Sequence, residues 1–309
     1  MVEKLILAEP RGFCAGVVRA IDIVKVCLEK FGSPIYVRHA IVHNKHVVKE
    51  LEKQGAVFVE SLDEIPDGAK VVLSAHGSPP SIYEEARKKN LQIVDGVCPL
   101  VTKVHIEARK FASSGYTILL VGHTGHVEVV GTSGEAPAQT ILIETVEDAE
   151  KVQVPDAEKV AVLTQTTLSI DDTKEVIEVL KRRFPKIIQP PREDICYATQ
   201  NRQNAVKELA KFADVILVIG SKTSSNSNRL REVAESIGVK SYLFDDLSEL
   251  REEWIKNAKV IGLTSGASAP EYLVQEVVKY FEDIGAKIEE REFVKENVFF
   301  PLPQSLREL

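Results

Sequence analysis

Apolar and polar positions along the chain fall into two alternating kinds of stretch. Short apolar runs, such as residues 5–8 and 215–219, are typical of buried strands. Longer stretches follow them in which apolar residues recur at helical spacing, as in residues 15–31, before Gly32. Because strands alternate with helices along most of the chain, the pattern predicts parallel α/β layers.

This pattern gives specific bounds for the predicted elements. The predicted strands are residues 5–8, 35–42, 57–59, 71–75, 92–94, 117–121, 141–144, 160–164, 215–219, 241–244 and 260–263. The predicted helices are residues 15–31, 45–54, 81–89, 99–113, 146–151, 170–183, 198–212, 227–237 and 270–283. The Pro190-Pro191 pair marks a boundary before the last third.

Three cysteines occupy equivalent points in this pattern. Cys14, Cys98 and Cys196 each follow a short apolar run and precede a predicted helix. A polar turn follows each cysteine after 29, 28 and 28 residues, at His43, His126 and Ser224 respectively. This near-constant spacing predicts three structural copies within the chain.

The repeat predicts three similar α/β domains in a pseudo-threefold trefoil. The predicted boundaries are residues 15–97 for the first domain, 98–192 for the second, 193–284 with 1–14 for the third, and 285–309 for a C-terminal tail. Ligands of open α/β sheets bind at the carboxyl ends of the strands, where all the polar turns would lie. We therefore expect the turns of the three copies to face one cavity.

Composition and charge narrow the class of protein. The chain has 309 residues, of which 44% are hydrophobic and 28% charged, and its net charge is −7 without a basic stripe, which argues against a nucleic-acid partner. No apolar run approaches the ~20 residues of a membrane span, and the first residues resemble no targeting peptide. Four cysteines without a secretory signal suggest a reducing, cytoplasmic location, where spaced cysteines bind metals or catalyse reactions.

The three turn cysteines suit a metal or iron–sulfur centre. A cysteine just before a helix faces free N–H groups and the positive end of the helix dipole, which favours the thiolate. Three thiolates cannot complete the four protein ligands of a closed zinc site or a conventional iron–sulfur site, and they would leave one iron of a four-iron cluster open. The alternative is that they are buried core thiols, which is how we interpret Cys27, inside the first predicted helix.

The remaining turns carry groups suited to an anion. Imidazoles, hydroxyls, amides and N–H groups at helix starts make a site that fits phosphate. These candidate residues are His43, His76, His126, Ser224, Ser225, Asn226 and Ser268. Since neither GxxxxGK[ST] nor GxGxxG occurs, a nucleotide is not indicated. Structural histidines and simple helix caps are the alternative, and we interpret His39, His46, His105 and His123 as structural.

Glu128 is the candidate proton donor. It follows His126 at short range, and a carboxyl group in a dry cavity can transfer protons, with the hydroxyls of Thr166 and Thr167 as a relay. The alternative is an ordinary surface glutamate.

Together these motifs resemble the LytB/IspH family of 4-hydroxy-3-methylbut-2-enyl diphosphate reductases over nearly the whole chain. The motifs that carry the resemblance are residues 11–16, 42–44, 74–77, 95–99, 122–128, 164–169, 196–202, 220–230, 264–270 and 296–303. Three positions depart from the usual family pattern: Ala40, Ser78 and Val127, of which Val127 stands where proline is usual.

The resemblance implies a trefoil of three α/β domains around an oxygen-sensitive 4Fe–4S cluster held by Cys14, Cys98 and Cys196. It implies that the open iron receives the substrate's hydroxyl oxygen, that Glu128 with Thr166 handles the proton, and that the candidate anion residues, with Thr166, bind the substrate diphosphate. The implied reaction is a two-electron reductive removal of the hydroxyl group, the last step of the methylerythritol phosphate route. The products would be isopentenyl and dimethylallyl diphosphate, the electrons would come from ferredoxin or flavodoxin, and we expect a monomer.

Three other readings remain open on the residues alone. A cluster-bearing dehydratase would need the same cysteines but no reductant. A metal-sensing or phosphate-binding protein would show no turnover, and a zinc hydrolase would be colourless rather than brown.

Overall fold

Strands and helices alternate along residues 2–307, the part of the chain that the computed structural model describes. The strands are β1 Lys4–Glu9, β2 Ile35–Arg38, β3 Ala56–Val59, β4 Lys70–Leu73, β5 Gln92–Asp95, β6 Thr117–Val121, β7 Thr140–Ile143, β8 Val160–Thr164, β9 Val215–Ile219, β10 Lys240–Phe244, β11 Val260–Ser265 and β12 Lys287–Glu292. The helices are α1 Ala15–Phe31, α2 Lys45–Lys53, α3 Pro80–Lys88, α4 Pro99–Ser113, α5 Val127–Ser133, α6 Val146–Lys151, α7 Ile170–Arg183, α8 Tyr197–Leu209, α9 Ser225–Ser236, α10 Glu252–Ile255, α11 Glu271–Asp283 and α12 Gln304–Arg307.

The strands form three separate parallel sheets. Their strand orders are β10-β9-β11-β1-β12, β3-β2-β4-β5 and β7-β6-β8. Every strand pairing within these sheets is parallel. The predicted α/β class with three parallel sheets is therefore confirmed.

The described chain forms two compact units. The first contains the residues up to Val17, His43–Val47 and Tyr197–Phe299, and it holds the five-stranded sheet. The second contains Val18–Val42, Val48–Cys196 and the chain from Phe300 onward, and it holds the other two sheets. The division into three domains and a tail stays a prediction.

Burial on both faces explains why the central strands form. Every residue of β8 and β9 is buried, and these strands consist largely of Val, Ile and Leu. Such continuous apolar runs are typical of parallel strands that helices cover on both sides. In the five-stranded sheet, Leu217 and Ile219 face one core cluster, and Ile216 and Val218 face another.

The apolar pattern predicted the long elements well and missed four short or charged ones. Strand β12 has the sequence KIEERE and lies at the sheet edge with its residues exposed or half-buried, a place where charged residues are common. Helix α5 has the sequence VEVVGTS, which is rich in β-branched residues and contains glycine, so its intrinsic helix propensity is low. The other two missed helices, α10 and α12, have four residues each.

The end of the chain packs on α1 within the second unit. Arg19 Nε donates a hydrogen bond to the Pro301 carbonyl at 2.9 Å, and Lys30 Nζ donates to the Leu306 carbonyl at 3.0 Å. Leu306 is buried. No helix within residues 2–307 combines the length and the apolar character that crossing a bilayer would require.

Candidate functional site

The backbone N–H of each turn cysteine makes the same contact. It donates to the carbonyl of the residue two positions beyond the end of a strand: β11 for Cys14, β4 for Cys98 and β8 for Cys196. The bonds run from Cys14 to Ala267 (3.1 Å), from Cys98 to Ala75 (3.0 Å) and from Cys196 to Thr166 (3.0 Å). The sequence repeat is therefore also a repeat of local geometry.

The three turn cysteines lie where a thiolate is favoured. Cys14 directly precedes α1, Cys98 is the N-cap of α4, and Cys196 directly precedes α8. None of the four cysteines forms a disulfide, and the three turn thiols are half-buried. The N-terminal ends of helices stabilise negative charge on sulfur, so these thiols are suited to bind iron.

Cys27 differs from the turn cysteines in its burial and in its position in the middle of a helix. It is 1% exposed inside α1, and burial raises the pKa of its thiol to about 11. A thiol of this kind is protonated and inert at neutral pH. The prediction that Cys27 is a core residue is confirmed.

Residues 2–307 contain no group of three or more His, Cys, Asp or Glu side chains that could bind a single metal ion. A cluster makes a different demand, since each of its thiolates binds its own iron atom. Three half-buried cysteines at helix N-termini, none of them in a disulfide, fit that demand.

The turn that carries Glu128 is held by close packing and a side-chain cap. Gly122 follows β6, and a Cβ atom there would lie 2.6 Å from Val129 Cγ2, so only glycine fits. His126 caps α5 because its Nδ1 accepts a hydrogen bond from the Glu128 N–H at 3.2 Å. This cap holds the start of the helix at Val127.

Glu128 is buried, and Thr166 holds it through two hydrogen bonds. The Thr166 N–H donates to Glu128 Oε1 at 2.6 Å, and the Thr166 hydroxyl donates to Oε2 at 3.0 Å. Burial raises the pKa of Glu128 to about 7, although the Thr166 hydrogen bonds act in the opposite direction. Near neutral pH the carboxyl group is therefore divided between its acid and base forms, which is suitable for proton transfer. It is not a surface glutamate.

The raised pKa makes the stability of the apoprotein depend on pH. Below pH 4.5 the Glu128 carboxyl is protonated in both the folded and the unfolded state. Between pH 4.5 and about 7, the unfolded state loses this proton while the folded state keeps it. The folded state thus loses stability as pH rises through this window. Glutamine does not titrate, so the Glu128→Gln variant lacks this loss of stability. In urea titrations, we expect its free energy of unfolding to rise relative to that of the unsubstituted apoprotein by roughly 2 kcal/mol between pH 5 and pH 8. A difference that stays constant with pH would contradict the raised pKa.

Two histidines of the second unit, His76 and His126, contact each other, and His126 is the N-cap of α5. The rings of His76 and His126 meet edge to face with centroids 6.3 Å apart. Because His126 Nδ1 accepts the Glu128 N–H, the neutral ring carries its proton on Nε2 and can donate from there. The hydroxyl of Ser74 lies 3.4 Å from His76 Nδ1.

Contacts join the candidate residues of the second unit into one network. The backbone N–H of Cys98 donates to the carbonyl of Ala75, the residue before His76. His76 touches His126, His126 caps the turn of Glu128, and Glu128 binds Thr166. The Thr166 carbonyl in turn accepts the N–H of Cys196. Within this unit, the candidate proton donor, two candidate anion ligands and two candidate iron ligands are thus linked through direct contacts.

The first unit links its candidate residues in the same way. The backbone N–H of Cys14 donates to the Ala267 carbonyl, and the Ala267 N–H donates to Asn226 Oδ1 at 2.9 Å. The neighbouring Ser268 hydroxyl donates to the His43 carbonyl at 3.1 Å. Ser224 caps α9 by accepting the Ser227 N–H at 3.3 Å, which places Ser225 and Asn226 in the first turn of that helix.

Two buried polar residues, Thr199 and Gln165, make hydrogen bonds in the site that were not predicted from the sequence. The Thr199 hydroxyl accepts from Asn226 Nδ2 at 3.3 Å. Gln165 accepts from the His123 N–H at 3.2 Å and donates to the Thr167 hydroxyl at 2.9 Å, so it connects two of the turns. Both residues lie inside the quoted motifs, but nothing in the sequence distinguishes a buried polar side chain from an exposed one there.

The four histidines interpreted as structural all pair with carboxylates. The pairs are His39 with Glu60, His46 with Asp246, His105 with Glu135 and His123 with Glu144. His105 is buried, and burial lowers the pKa of its imidazole.

Two curated relatives resemble the chain over nearly its full length. The 4-hydroxy-3-methylbut-2-enyl diphosphate reductase of Acidothermus cellulolyticus is 56% identical over 307 residues, covering 99% of this chain and 90% of the relative. The protein of the same name from Tolumonas auensis is 54% identical over 308 residues, covering 98% and 99%.

Two solved structures also match. The E-1-hydroxy-2-methyl-but-2-enyl-4-diphosphate reductase of Plasmodium falciparum is 41% identical, with a TM-score of 0.97 over all of this chain and 98% of the other. A structure of (E)-4-hydroxy-3-methyl-but-2-enyl diphosphate reductase, described as the terminal enzyme of the non-mevalonate pathway, is 33% identical. Its TM-score is 0.64, over 92% of this chain and 100% of the other.

The motifs, the three parallel sheets and these similarities agree. The family described as LytB protein matches residues 5–282, which is most of the chain. The resemblance inferred from the motifs is thus confirmed, and the chain belongs to the LytB family.

Proposed function

We propose that this chain catalyses the reductive removal of the hydroxyl group of (E)-4-hydroxy-3-methylbut-2-enyl diphosphate. The reaction consumes two electrons and two protons, replaces the C–O bond by a C–H bond, and releases water. Its products are isopentenyl and dimethylallyl diphosphate. Relatives that are 56% and 54% identical over nearly the whole chain carry this enzyme's name, which supports the assignment.

The cofactor in this proposal is a 4Fe–4S cluster bound by Cys14, Cys98 and Cys196. When bound, it would supply electrons and a Lewis-acidic iron without a protein ligand. The donor set supports this choice, because the three cysteines stand at helix N-termini and form no disulfide.

The observation that carries the proposal is the position of Thr166. Its N–H and hydroxyl hold the Glu128 carboxyl, while its carbonyl holds the backbone of Cys196. One residue therefore sets the proton donor relative to a cysteine of the cluster. Since hydroxide is a poor leaving group, a proton from Glu128 lets the oxygen leave as water.

The candidate anion residues would bind the diphosphate. They are His43, His76, His126, Ser224, Ser225, Asn226 and Ser268, and Thr166 would bind the diphosphate together with them. Most are neutral donors at the starts of helices, and several are held by the contacts described above. A diphosphate fixed in this way orients the allylic end toward the proton donor.

The proposal extends to the electron donor and to the cell compartment. We infer a small redox protein of the ferredoxin or flavodoxin class as donor, and a monomeric, cytoplasmic enzyme. Four cysteines without a disulfide are consistent with a reducing compartment.

The proposed function is tested by anaerobic turnover of the hydroxylated substrate with and without dithionite. We expect both deoxygenated products by mass spectrometry, and only when the reductant is present. Loss of the hydroxyl group without reductant would indicate a dehydratase instead. No substrate loss under either condition, with the cluster shown to be present by iron and sulfide analysis, would contradict the proposal.

A further inference from the structure

Each helix that begins after a turn cysteine carries a cation about one turn further on. These residues are Arg19 on α1, Lys103 on α4 and Arg202 on α8. Among its hydrogen bonds, each side chain donates to two main-chain carbonyls that lie one to four residues ahead of a different turn cysteine. Along the sequence, nothing distinguishes these three cations from the other basic residues of the helices.

Arg19 binds the segment before Cys98. Its Nη1 donates to the Val97 carbonyl at 2.8 Å and to the Gly96 carbonyl at 3.4 Å. Burial lowers the pKa of Arg19, while the negative charges of Cys98 and Asp95 oppose that shift. Because an arginine keeps its proton at any physiological pH, it supplies charged donors to this turn.

Lys103 binds the segment before Cys196. Its Nζ donates to the carbonyls of Arg192 at 2.6 Å and Glu193 at 3.2 Å. It also donates to Asp194 Oδ1 at 2.9 Å, and Asp194 Oδ2 accepts the Thr164 N–H at 2.9 Å. The segment is thus held on one side by α4 and on the other by the end of β8.

Arg202 binds the segment before Cys14. Its side chain is fully buried, and Nη2 donates to the Gly12 carbonyl at 2.9 Å and to the Arg11 carbonyl at 3.5 Å. Its Nη1 donates to Glu296 Oε1 at 2.9 Å, which neutralises the buried charge.

The three contacts follow one cyclic order along the chain. The helix after Cys14 holds the turn before Cys98, the helix after Cys98 holds the turn before Cys196, and the helix after Cys196 holds the turn before Cys14. These peptide groups lie outside the β-strands, so their carbonyls need hydrogen-bond donors other than the N–H groups of a neighbouring strand. Ordinary fold stabilisation explains any single contact, but not why all three reach the short segment, within four residues, ahead of a cysteine.

We propose that Arg19, Lys103 and Arg202 are positioning residues that fix the three cysteine turns in the geometry that the cluster requires. The inference rests on the proposed function for the identity of the bound group. Groups that orient the ligands of a metal centre typically change metal affinity 10- to 100-fold when they are removed.

Lys103→Met provides the first test, because methionine keeps most of the aliphatic side chain and removes the donors. The matched control is Lys110→Met, which makes the same charge change at an exposed position of the same helix. After anaerobic reconstitution we expect Lys103→Met to lose iron and sulfide to a chelator about tenfold faster than the control. Lys103→Arg retains charged donors and is expected to restore most of the retention.

Hydrogen exchange of the apoproteins supplies a readout that does not depend on the cluster. We expect Lys103→Met to accelerate amide exchange selectively in residues 192–196. Arg19→Met should accelerate it in residues 95–98, relative to Lys25→Met on the exposed face of α1. Two variants with two different target segments keep the test valid if one of them fails to fold.

Several outcomes would overturn the inference. Unchanged exchange in both target segments would show that the cations do not hold the turns, and equal cluster retention in Lys103→Met and Lys110→Met would show that holding them does not matter to the cluster. Uniformly faster exchange along the chain would indicate general destabilisation instead. An unsubstituted protein that binds no iron and sulfide would contradict the proposed function itself, and the apoprotein exchange would then still decide whether the turns are held.

Discussion

Replacing Glu128 by Gln is expected to lower turnover about 100- to 10,000-fold while the cluster stays in place. Glutamine has nearly the same shape and can still accept the Thr166 N–H, but it cannot supply a proton. The substrate oxygen would then have to leave without the proton that makes it water. The measurements are the anaerobic turnover number together with iron and sulfide content.

The matched control for this variant is Glu147→Gln, on α6, where the side chain is exposed and pairs only with Lys151 among the described ion pairs. Its turnover should equal that of the unsubstituted enzyme. In the unsubstituted enzyme, turnover should fall as pH rises through about 7, because the acid form of Glu128 disappears there. Full turnover in Glu128→Gln with a normal cluster would refute the assignment of the proton donor.

Cys98→Ala should reduce cluster content to below about a tenth and turnover more than about 100-fold, since two thiolates cannot hold a four-iron cluster in place. The substitution removes only the sulfur, while the backbone bond from Cys98 to the Ala75 carbonyl and the start of α4 can remain. Iron and sulfide counts and the visible spectrum measure the loss.

Cys27→Ala is the control, because it makes the same chemical change in the core of α1. It should cost some stability through the small cavity that it creates, yet keep the iron, the sulfide and the brown colour. Equal cluster content in the two variants would mean that Cys98 is not an iron ligand.

The long elements could be predicted because their patterns are local. Helices α1, α4, α6 and α7 have the predicted bounds, since periodic apolar residues and clear breakers determine them. Helix α5 could not be predicted in this way, because its sequence favours strand. It forms because His126 caps it and because α5 packs closely on the turn after His76, where a Cβ at Gly134 would lie 2.3 Å from Pro79 Cβ.

The candidate site, like the fold, could be predicted from the sequence only in part. The chemical types of its residues and their repeat were visible in the sequence, as was the difference between Cys27 and the three turn cysteines. The pKa of Glu128 was not, because it depends on how completely the surrounding chain excludes water and on the two bonds from Thr166, 38 residues away.

By itself, then, the sequence determined the α/β class, the threefold repeat and the family, since each of these is written in local periodicity, spacing and motif. Only the tertiary structure decided which residues hold the cysteine turns. Arg19, Lys103 and Arg202 are ordinary cations of amphipathic helices when read along the chain. They acquire a role because folding brings carbonyls that are 77 to 191 residues distant within hydrogen-bonding range of their charged groups.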